Sequence, residues 1–341
     1  MATLASIAER LGVSEATVSN ALSGKGRMKP ETRELILREA KKEGYTIYHT
    51  VKSTIKKVIV VSEESSSNAA AFLRGVSDAS QEDGLVWPMY DLNIWKKDLP
   101  REAGSDLIRP LINNLLDQLP FRPSGMIYFS QYCRKLPKLF DGLNIPVVAV
   151  QLLGTGADVH VNYDNQQGAY DAIVHMAQRG KKRIATISGP IDTYSSSERM
   201  IGYQRALIDS QLVYHHKLIW QGDWSVDSGY ELTKKLLSNS EPPDAIFAQN
   251  DGIALGAINA LKEYGLRIPE DVSVIGFDNS GFTNWISPSQ STVQIPWTEM
   301  GIEAYHKMCE LMSKKKASNV VVPCKLVPRE TAEKAVIRAV V

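Results

Sequence analysis

The chain has 341 residues, 43% of them apolar, a length that exceeds one average domain and suits two or three with substantial cores. Its net charge is +1, yet residues 1–57 carry eleven Lys or Arg against six Glu, so a small basic segment precedes a mildly acidic body. Three widely spaced cysteines argue against a disulfide framework, and no run approaches the roughly 18 apolar residues of a membrane span. With no signal-peptide pattern at its start, the sequence predicts a cytoplasmic protein without a membrane partner.

The first two predicted helices are short. Apolar residues recur at i, i+3, i+4 and i+7 from Leu4 to Leu11, which is the stripe of an amphipathic helix. Thr3 can cap the start of this helix, and Gly12 ends it. Ser14 can then cap a second helix by accepting hydrogen bonds from the unpaired backbone N–H groups of its first turn.

The second helix has two different faces. At about 100° per residue, Val18, Ala21 and Leu22 fall on one side and predict a buried stripe. The opposite side carries only small or hydrogen-bonding side chains: Ala16, Ser19, Asn20 and Ser23. Such a face can approach another surface closely and read its donors and acceptors.

A third helix is predicted over about Pro30–Glu43, with proline in its first turn and Gly44 at its end. Leu35, Ile36 and Ala40 are expected to face the first two helices.

Two short helices joined by a tight turn, with a third behind, predict a helix-turn-helix module whose second helix enters the major groove of DNA. The hydroxyls of Ser14, Thr17 and Ser19 suit phosphate oxygens, which position a protein on DNA without reading its sequence. Asn20 suits an adenine edge, and Glu15 can accept a hydrogen bond from the cytosine amine. The alternative is an ordinary three-helix bundle whose polar face meets only water.

The segments TLASIAERLGVSEATVSNALSGKG and ETRELILREAKKEGY resemble the DNA-binding head of the lactose-repressor (LacI/GalR) family. This resemblance implies base reading by Glu15, Ala16 and Asn20. The family often has Arg at the last of these positions, so Asn20 favours adenine over guanine. Contacts to the DNA backbone are implied for Thr3, Ser14, Thr17, Ser19 and Ser23.

The resemblance also predicts three segments: a head over 1–48, a short hinge over 49–57 and a body over 58–341. The family usually has a longer hinge, whose helix wedges into the minor groove. Val51 and Ile55 lie four residues apart, so a short helix remains one interpretation. The other is an extended linker whose lysines touch phosphates only.

From residue 58 onward, short apolar runs alternate with helical patterns, which predicts an α/β fold with parallel sheets and helices on both faces. Because the body is too long for one such sheet, we expect two lobes with a cleft at the strand ends. The predicted strands lie at 57–62, 125–130, 146–151, 183–189, 244–249 and 273–278.

No motif for catalysis stands out. None of the strand-to-helix turns is a Gly-x-Gly-x-x-Gly or P-loop sequence, and the six histidines lack metal-ligand spacing. We therefore expect no catalytic residue, no metal, no cofactor and no enzymatic activity.

The body resembles the LacI/GalR effector domain in successive blocks, among them SERMIGYQRAL and AIFAQNDGIALGAINALKEYGLRIPEDVSVIGFDN. The resemblance implies a two-lobed, periplasmic-binding-protein-like (type I) domain with three crossovers, a homodimer, and a small-molecule effector between the lobes. Ligand contacts are implied for Arg199, Trp224, Asn250 and Asp278, with Thr193 and Ser195 on a loop lining the cleft. For Trp224 the alternative is ordinary packing, and for Arg199 with Asp278 it is an interlobe ion pair.

Three departures from the family pattern concern the cleft. Ile295 stands where a glutamine is usual, and EESSSNAAAF, which offers Asn68, replaces a Pro-Phe-Phe segment. The loop 92–106 is longer than typical, and its Trp95 is expected to cover the cleft. The replaced segment makes the wall of the N-terminal lobe roomier and more polar. This replacement and the longer loop allow a larger ligand, such as a disaccharide or oligosaccharide.

The expected function is that of a repressor that binds operator DNA and responds to a sugar-like effector. A nucleobase or a phosphoprotein co-regulator remains an alternative to the sugar. A solute-binding receptor is a remote second alternative, because it would share the body without needing a DNA-binding head.

Overall fold

The computed structural model describes residues 3–22, 28–42, 57–81, 87–94 and 104–333. Four features predicted above lie outside these ranges: Ser23, the end of the third helix at 43–44, most of the hinge, and Trp95. By contacts between residues, the chain divides into two compact units, Met1–Lys57 and Val58–Val341.

The described residues of the first unit form three helices: α1 (Leu4–Leu11), α2 (Glu15–Leu22) and α3 (Pro30–Lys42). Thr3 caps α1 in a reciprocal arrangement with Ser6, and Gly12 ends it with φ of 63°, a left-handed conformation that glycine adopts without strain. The three helices share a small core of Ile7, Ala8, Val18, Ala21, Leu22, Ile36 and Ala40.

One core prediction for this unit is wrong. Leu35 was expected to face the first two helices, but its side chain is 51% exposed. Leu37 packs against the core instead, together with the predicted Ile36 and Ala40. Leu35 and Ile36 are adjacent, so about 100° separates them around the helix, and the structure places only Ile36 inward.

The second unit has seven α-helices and twelve strands among its described residues. The helices are α4 (Ser67–Ser80), α5 (Ser105–Gln118), α6 (Asn165–Gln178), α7 (Tyr194–Asp209), α8 (Val226–Leu237), α9 (Asp251–Glu263) and α10 (Trp297–Met312). The strands are β1 (Val58–Ser62), β2 (Met89–Asp91), β3 (Gly125–Lys135), β4 (Val147–Leu153), β5 (Val159–Tyr163), β6 (Ile184–Ser188), β7 (Ile219–Gln221), β8 (Ala245–Ala248), β9 (Ser273–Asp278), β10 (Ser291–Gln294), β11 (Val320–Val322) and β12 (Lys325–Val327).

The strands form two six-stranded sheets, one in each lobe. The sheet of the N-terminal lobe has the order β11-β5-β4-β3-β1-β2, and that of the C-terminal lobe β12-β10-β9-β8-β6-β7. All pairs are parallel except β10 with the edge strand β12. The chain crosses between the lobes after β5, after β10 and after β11, which confirms the predicted two-lobed fold with three crossovers.

The long strands form where the sequence has runs of apolar residues. The six predicted strands are all present, and five of them are buried along nearly their whole length: β1, β4, β6, β8 and β9. The missed strands are short or carry few apolar residues, so their sequences contain no comparable run. One hydrophobic cluster extends through both lobes, and a separate cluster fills the outer side of each.

Helix α10 returns the chain to the N-terminal lobe, where it packs closely on α4. A Cβ atom at Gly75 would lie 1.9 Å from the Thr298 carbonyl oxygen, and one at Gly301 would lie 2.1 Å from that of Phe72. The two helices therefore meet at backbone distance, which only glycine permits. This contact fixes the start of α10 beside the middle of α4.

Candidate functional site

The outward face of α2 consists of short polar or small side chains, as predicted. Glu15, Ala16 and Asn20 are exposed, while Thr17 and Ser19 are half-buried. Their inward neighbours on the same helix fill the core of the unit. The helix can therefore present this face to another molecule without disturbing its own packing.

The hydroxyl groups of Ser14 and Thr3 already make hydrogen bonds within the protein, which limits the contacts that they can make to DNA. The Ser14 hydroxyl accepts a hydrogen bond from the Thr17 backbone N–H at 3.1 Å and lies 2.8 Å from the Thr17 hydroxyl. One of the two hydroxyls donates its hydrogen to the other, so only the second hydroxyl still has a hydrogen to donate to a phosphate. Thr3 Oγ1 accepts from the Ser6 backbone N–H at 3.1 Å.

The second unit contains a cavity of about 370 Å³ between its lobes. The N-terminal lobe contributes Asn68, Gln131, Tyr132 and Tyr163, and the C-terminal lobe contributes Ser195, Arg199, Asp223, Trp224, Ser225, Asn250 and Asp278. The segment of the second crossover adds Ile295 and Trp297. Most of these residues lie near the carboxyl ends of parallel strands or in the helices that follow them, which is where ligands bind in α/β folds.

Arg199 is the most constrained polar side chain of the cavity. It extends from α7, is 3% exposed, and donates hydrogen bonds to Asn165 Oδ1 at 2.9 Å, to the Gln249 carbonyl oxygen and to the Tyr163 hydroxyl at 3.1 Å. Its guanidinium also lies 3.7 Å from the centre of the Phe277 ring. Since Tyr163 belongs to the N-terminal lobe, this arginine links the lobes directly.

Asp278 faces Arg199 across 3.7 Å, so the two form an ion pair. Both residues belong to the C-terminal lobe, which corrects the interlobe pairing considered above. Burial in the site raises the pKa of Asp278 to about 7, although Arg199 lowers it, and the nearby Asp251 raises it further. The side chain still keeps about a third of its surface accessible, at 32%, so a ligand in the cavity can reach it.

The backbone around Asp278 is strained. Asp278 has φ of 115° and Trp224 has φ of 73°, in the region that side chains other than glycine rarely adopt. Conformations of this kind cost about 1–3 kcal/mol each and are found mainly at functional sites. The two strained residues lie in the same cavity, where the surrounding structure holds each of them.

Asp251 holds the turn that carries Asp278. Its carboxylate is fully buried and accepts hydrogen bonds from Gln290 Nε2 at 2.8 Å, from Thr292 Oγ1 at 2.6 Å and from the Ser280 backbone N–H at 2.6 Å. Burial raises the pKa of Asp251 to about 6, against the lowering effect of these hydrogen bonds. The carboxylate joins the start of α9 to β10 and to the residues after β9.

Trp224 packs its indole directly on the backbone of Gly189. A Cβ atom at that glycine would lie 2.0 Å from the indole ring, so no other residue fits there without moving the ring. Asn250 Nδ2 donates to the Trp224 carbonyl oxygen at 3.0 Å, and its Oδ1 accepts from the Ile253 backbone N–H at 2.8 Å. The Gly189 backbone thus supports the indole, Asn250 holds the backbone of Trp224, and the ring offers a flat apolar surface to the cavity.

Trp297 borders the cavity at the second crossover. Its ring packs edge-on against Phe129 at 5.6 Å and against Tyr163 at 5.8 Å between ring centres, and the residue is 7% exposed. The indole Nε1 is buried and has no hydrogen-bond partner among the described residues. An unpaired buried donor costs about 1–3 kcal/mol, which a ligand acceptor would recover.

The structure brings six of the seven predicted effector contacts to this cavity: Asn68, Ser195, Arg199, Trp224, Asn250 and Asp278. Thr193 is the exception. It lies just before α7 as the N-cap of that helix, and its hydroxyl donates to the Pro190 carbonyl oxygen at 2.8 Å. Ser195 lies in the first turn of α7, so the prediction that places it on a loop is wrong. Asp164, at the end of β5, caps α6 by accepting a hydrogen bond from the Gln167 backbone N–H.

Sequence reasoning missed several cavity residues, chiefly Gln131, Tyr132, Tyr163 and Trp297. Gln131 directly follows a predicted strand, 125–130, so the rule that sites lie at strand ends could have found it and its neighbour. The other two lie at crossovers, which periodicity does not reveal. Among the described residues, no group of three His, Cys, Asp or Glu side chains could hold a metal ion, and no helix is long and apolar enough to cross a membrane.

Comparisons with known proteins agree on the kind of protein. A family model described as a periplasmic binding protein-like domain matches residues 173–332. The HTH-type transcriptional regulator CelR of Thermobifida fusca is 30% identical over 315 residues, covering 88% of this chain and 89% of that protein.

Two solved structures are similar over nearly the whole chain. A complex of the transcriptional regulator CelR with cellobiose has a TM-score of 0.66 and 27% identity, covering 97% of this chain and 100% of that one. A lac repressor dimer bound to operator and the anti-inducer ONPF has a TM-score of 0.76, covering 97% and 99%. At 23% identity, the second likeness concerns the fold alone.

Proposed function

The chain belongs to the LacI/GalR family of transcriptional regulators, and we propose that it is a cytoplasmic, sequence-specific repressor of a sugar-utilisation operon. In this proposal the protein acts as a homodimer, binds operator DNA through α2, and is controlled by a sugar-like effector in the cavity between its lobes. It carries out no chemical reaction.

The observation that supports the sugar most strongly is the combination of Arg199, Asp278 and Trp224 around one cavity. A sugar ring has hydroxyl groups at its rim and an apolar C–H face. A fixed guanidinium donates to the hydroxyl oxygens and a carboxylate accepts from the hydroxyl hydrogens. An indole packs on the C–H face. The similarity to a regulator solved with cellobiose supports the same class of ligand.

The proposed regulation acts through the closure of the lobes. Tyr163 and Arg199 join the lobes inside the cavity, so a ligand that contacts the guanidinium also acts on the contact between lobes. To move a two-state balance from 1:99 to 99:1, the effector must bind one state more tightly by about 5.5 kcal/mol. Two subunits of a dimer would share this free energy.

For DNA recognition, we propose that Glu15, Ala16 and Asn20 contact bases. Thr3, Ser14, Thr17, Ser19 and Ser23 would contact the DNA backbone. The support is the exposed polar face of α2, whose opposite side is fully committed to the core. Asn20 is the residue with the strongest capacity to discriminate, because an amide can donate to and accept from the same adenine.

The test begins with an unbiased selection of double-stranded sequences by the purified full-length protein. Asn20→Ala should lower the discrimination between the selected operator and random DNA by about 1–3 kcal/mol, measured by fluorescence anisotropy. Thr32→Ala, a neutral substitution in α3, is the matched control and should leave discrimination unchanged. Equal losses on both DNAs would contradict base reading by Asn20.

The effector class is tested separately by thermal shift with sugars, sugar phosphates and purines. We expect neutral sugars to raise the melting temperature and to change operator affinity at the same concentrations. Stabilisation by purines alone would overturn the sugar proposal while leaving the DNA-binding proposal intact.

A further inference from the structure

A second cavity of about 480 Å³ adjoins the first, and we call it the second chamber. The two cavities share a boundary made of Asn68, Gln131, Asp278, Ile295 and Trp297, each of which lines both. Each volume alone falls within the range of about 300–1,000 Å³ that is typical of ligand sites. Together they form one elongated site rather than a closed pocket.

The residues that line the second chamber alone come from both lobes. They are mostly hydroxyl, amide or small residues: Ser67, Ala71, Asn279, Ser280, Gly281, Gln294, Thr298 and Glu299. Of the described residues that line this chamber, none is lysine or arginine, whereas Asp278 and Glu299 are carboxylates. This composition suits a neutral ligand rich in hydroxyl groups and disfavours a phosphate.

The boundary between the chambers carries two unsatisfied groups of opposite kind. Trp297 Nε1 is a donor and Gln131 Oε1 is an acceptor, and both atoms are buried without a hydrogen-bond partner among the described residues. Trp297 is 7% exposed and its ring is wedged between Phe129 and Tyr163, so it cannot easily turn away. A ligand that passes the boundary can accept from the indole and donate to the amide.

We propose that the effector is an oligosaccharide of at least two units, with one unit beside Arg199 and the next in the second chamber. The linkage between the units passes Trp297 and Gln131, where a sugar supplies both an oxygen and a hydroxyl hydrogen. This inference rests on the proposed sugar effector and adds to it the length of the ligand and the position of its second unit. Ile295 and the ring of Trp297 give the linkage an apolar wall.

Gly281 offers a way to close the second chamber without touching the first. It lines only the second chamber, begins a short 3-10 helix, and a Cβ atom built on it meets no atom within 4 Å. Its φ lies outside the left-handed region, so a larger residue fits the backbone there. Gly281→Phe should therefore fill the chamber, while Gly281→Ala is the matched control that leaves it open.

The experiment is isothermal titration of the full-length protein with glucose, galactose, mannose and xylose and with their disaccharides and trisaccharides. We expect one disaccharide to bind more tightly than either of its units by about tenfold or more, the effect of one or two added hydrogen bonds. Gly281→Phe should abolish that advantage and leave monosaccharide affinity unchanged, whereas Gly281→Ala should keep it.

A second variant, Ser67→Phe, fills the chamber from the opposite lobe at an exposed position and should act in the same way. It keeps the test decisive if Gly281→Phe lowers the melting temperature of the protein. Equal affinity for monosaccharides and longer sugars would overturn this inference but not the proposed sugar effector. An equal loss of affinity for both kinds of sugar in the two variants would do the same. If no sugar of any length binds, the proposed sugar effector fails as well.

Discussion

The effector cavity has a C-terminal wall, made of its lining residues from the C-terminal lobe, and an N-terminal wall, made of those from the N-terminal lobe. The two walls differ in how many of their polar groups already have hydrogen-bond partners within the protein. On the C-terminal side, Arg199 makes three hydrogen bonds within the protein, and Asn250 is engaged as a helix cap. On the N-terminal side, Gln131 leaves its amide oxygen unpaired. A wall whose side chains are fixed beforehand loses little entropy on binding, whereas a wall with unpaired groups depends on what the ligand supplies. We infer that the C-terminal wall provides affinity and the N-terminal wall provides selectivity.

The largest effect is expected from Arg199→Ala, which removes the central side chain of the C-terminal wall. Effector binding should weaken by about 100-fold, because up to two charge-assisted hydrogen bonds from the remaining guanidinium N–H groups are lost. The substitution should also lower the free energy of unfolding, by about 1–3 kcal/mol for each buried acceptor of Arg199 that is left without a donor. Titration calorimetry and thermal unfolding measure the two effects.

Arg205→Ala is the matched control, because Arg205 lies on the same helix but is exposed. It should retain effector binding. Arg199→Lys keeps the charge without the guanidinium fork and should give an intermediate loss. Unchanged effector response in Arg199→Ala would remove this residue from the site and with it the proposed division between the walls.

A smaller effect is expected from pH, through Asp278. Its pKa is about 7 in the folded chain, above the ordinary value of 3.8, so the folded protein holds this proton more tightly than the unfolded chain does. The stabilisation is complete below pH 4 and is lost as pH rises through about 7. Asp251, with a pKa raised to about 6, acts in the same direction.

His160 and His175 act in the opposite direction, since burial lowers the pKa of each. The effect of Asp278 is therefore measured as a difference between the unmodified protein and Asp278→Asn. We expect the melting temperature of the unmodified protein, relative to that variant, to fall between pH 5 and pH 8. Effector affinity should rise over the same interval, because the ionised carboxylate is the better acceptor. A difference that does not change with pH would contradict a raised pKa.

The smallest effect is expected from Asn68→Ala on the N-terminal wall. Loss of one neutral hydrogen bond should weaken the preferred effector by about fivefold and alter the ranking of related sugars more than their mean affinity. Asn144→Ala, at an exposed position of the same lobe, is the control. An equal loss for every sugar would show that both walls contribute in the same way.

This division between the walls also explains what the sequence could predict. Arg199, Trp224, Asn250 and Asp278 lie in blocks that resemble the family closely, and all four line the cavity. The N-terminal wall departs from the family pattern, so of its residues only Asn68 was predicted. Its other members are defined by strand ends and crossovers, which follow from tertiary packing. The long buried strands were predictable from their apolar runs, but strands of three residues, such as β2 and β7, were not.

The crossovers have a consequence for how the protein is made. The N-terminal lobe is assembled from residues 58–163 together with α10 and β11, which are translated only after almost the whole C-terminal lobe. Until α10 and β11 emerge from the ribosome, the face of α4 around Gly75 and the edge of β5 have no covering. The N-terminal lobe can therefore complete its folding only late in synthesis, and a ribosome that stops before residue 297 leaves an apolar surface for chaperones to recognise.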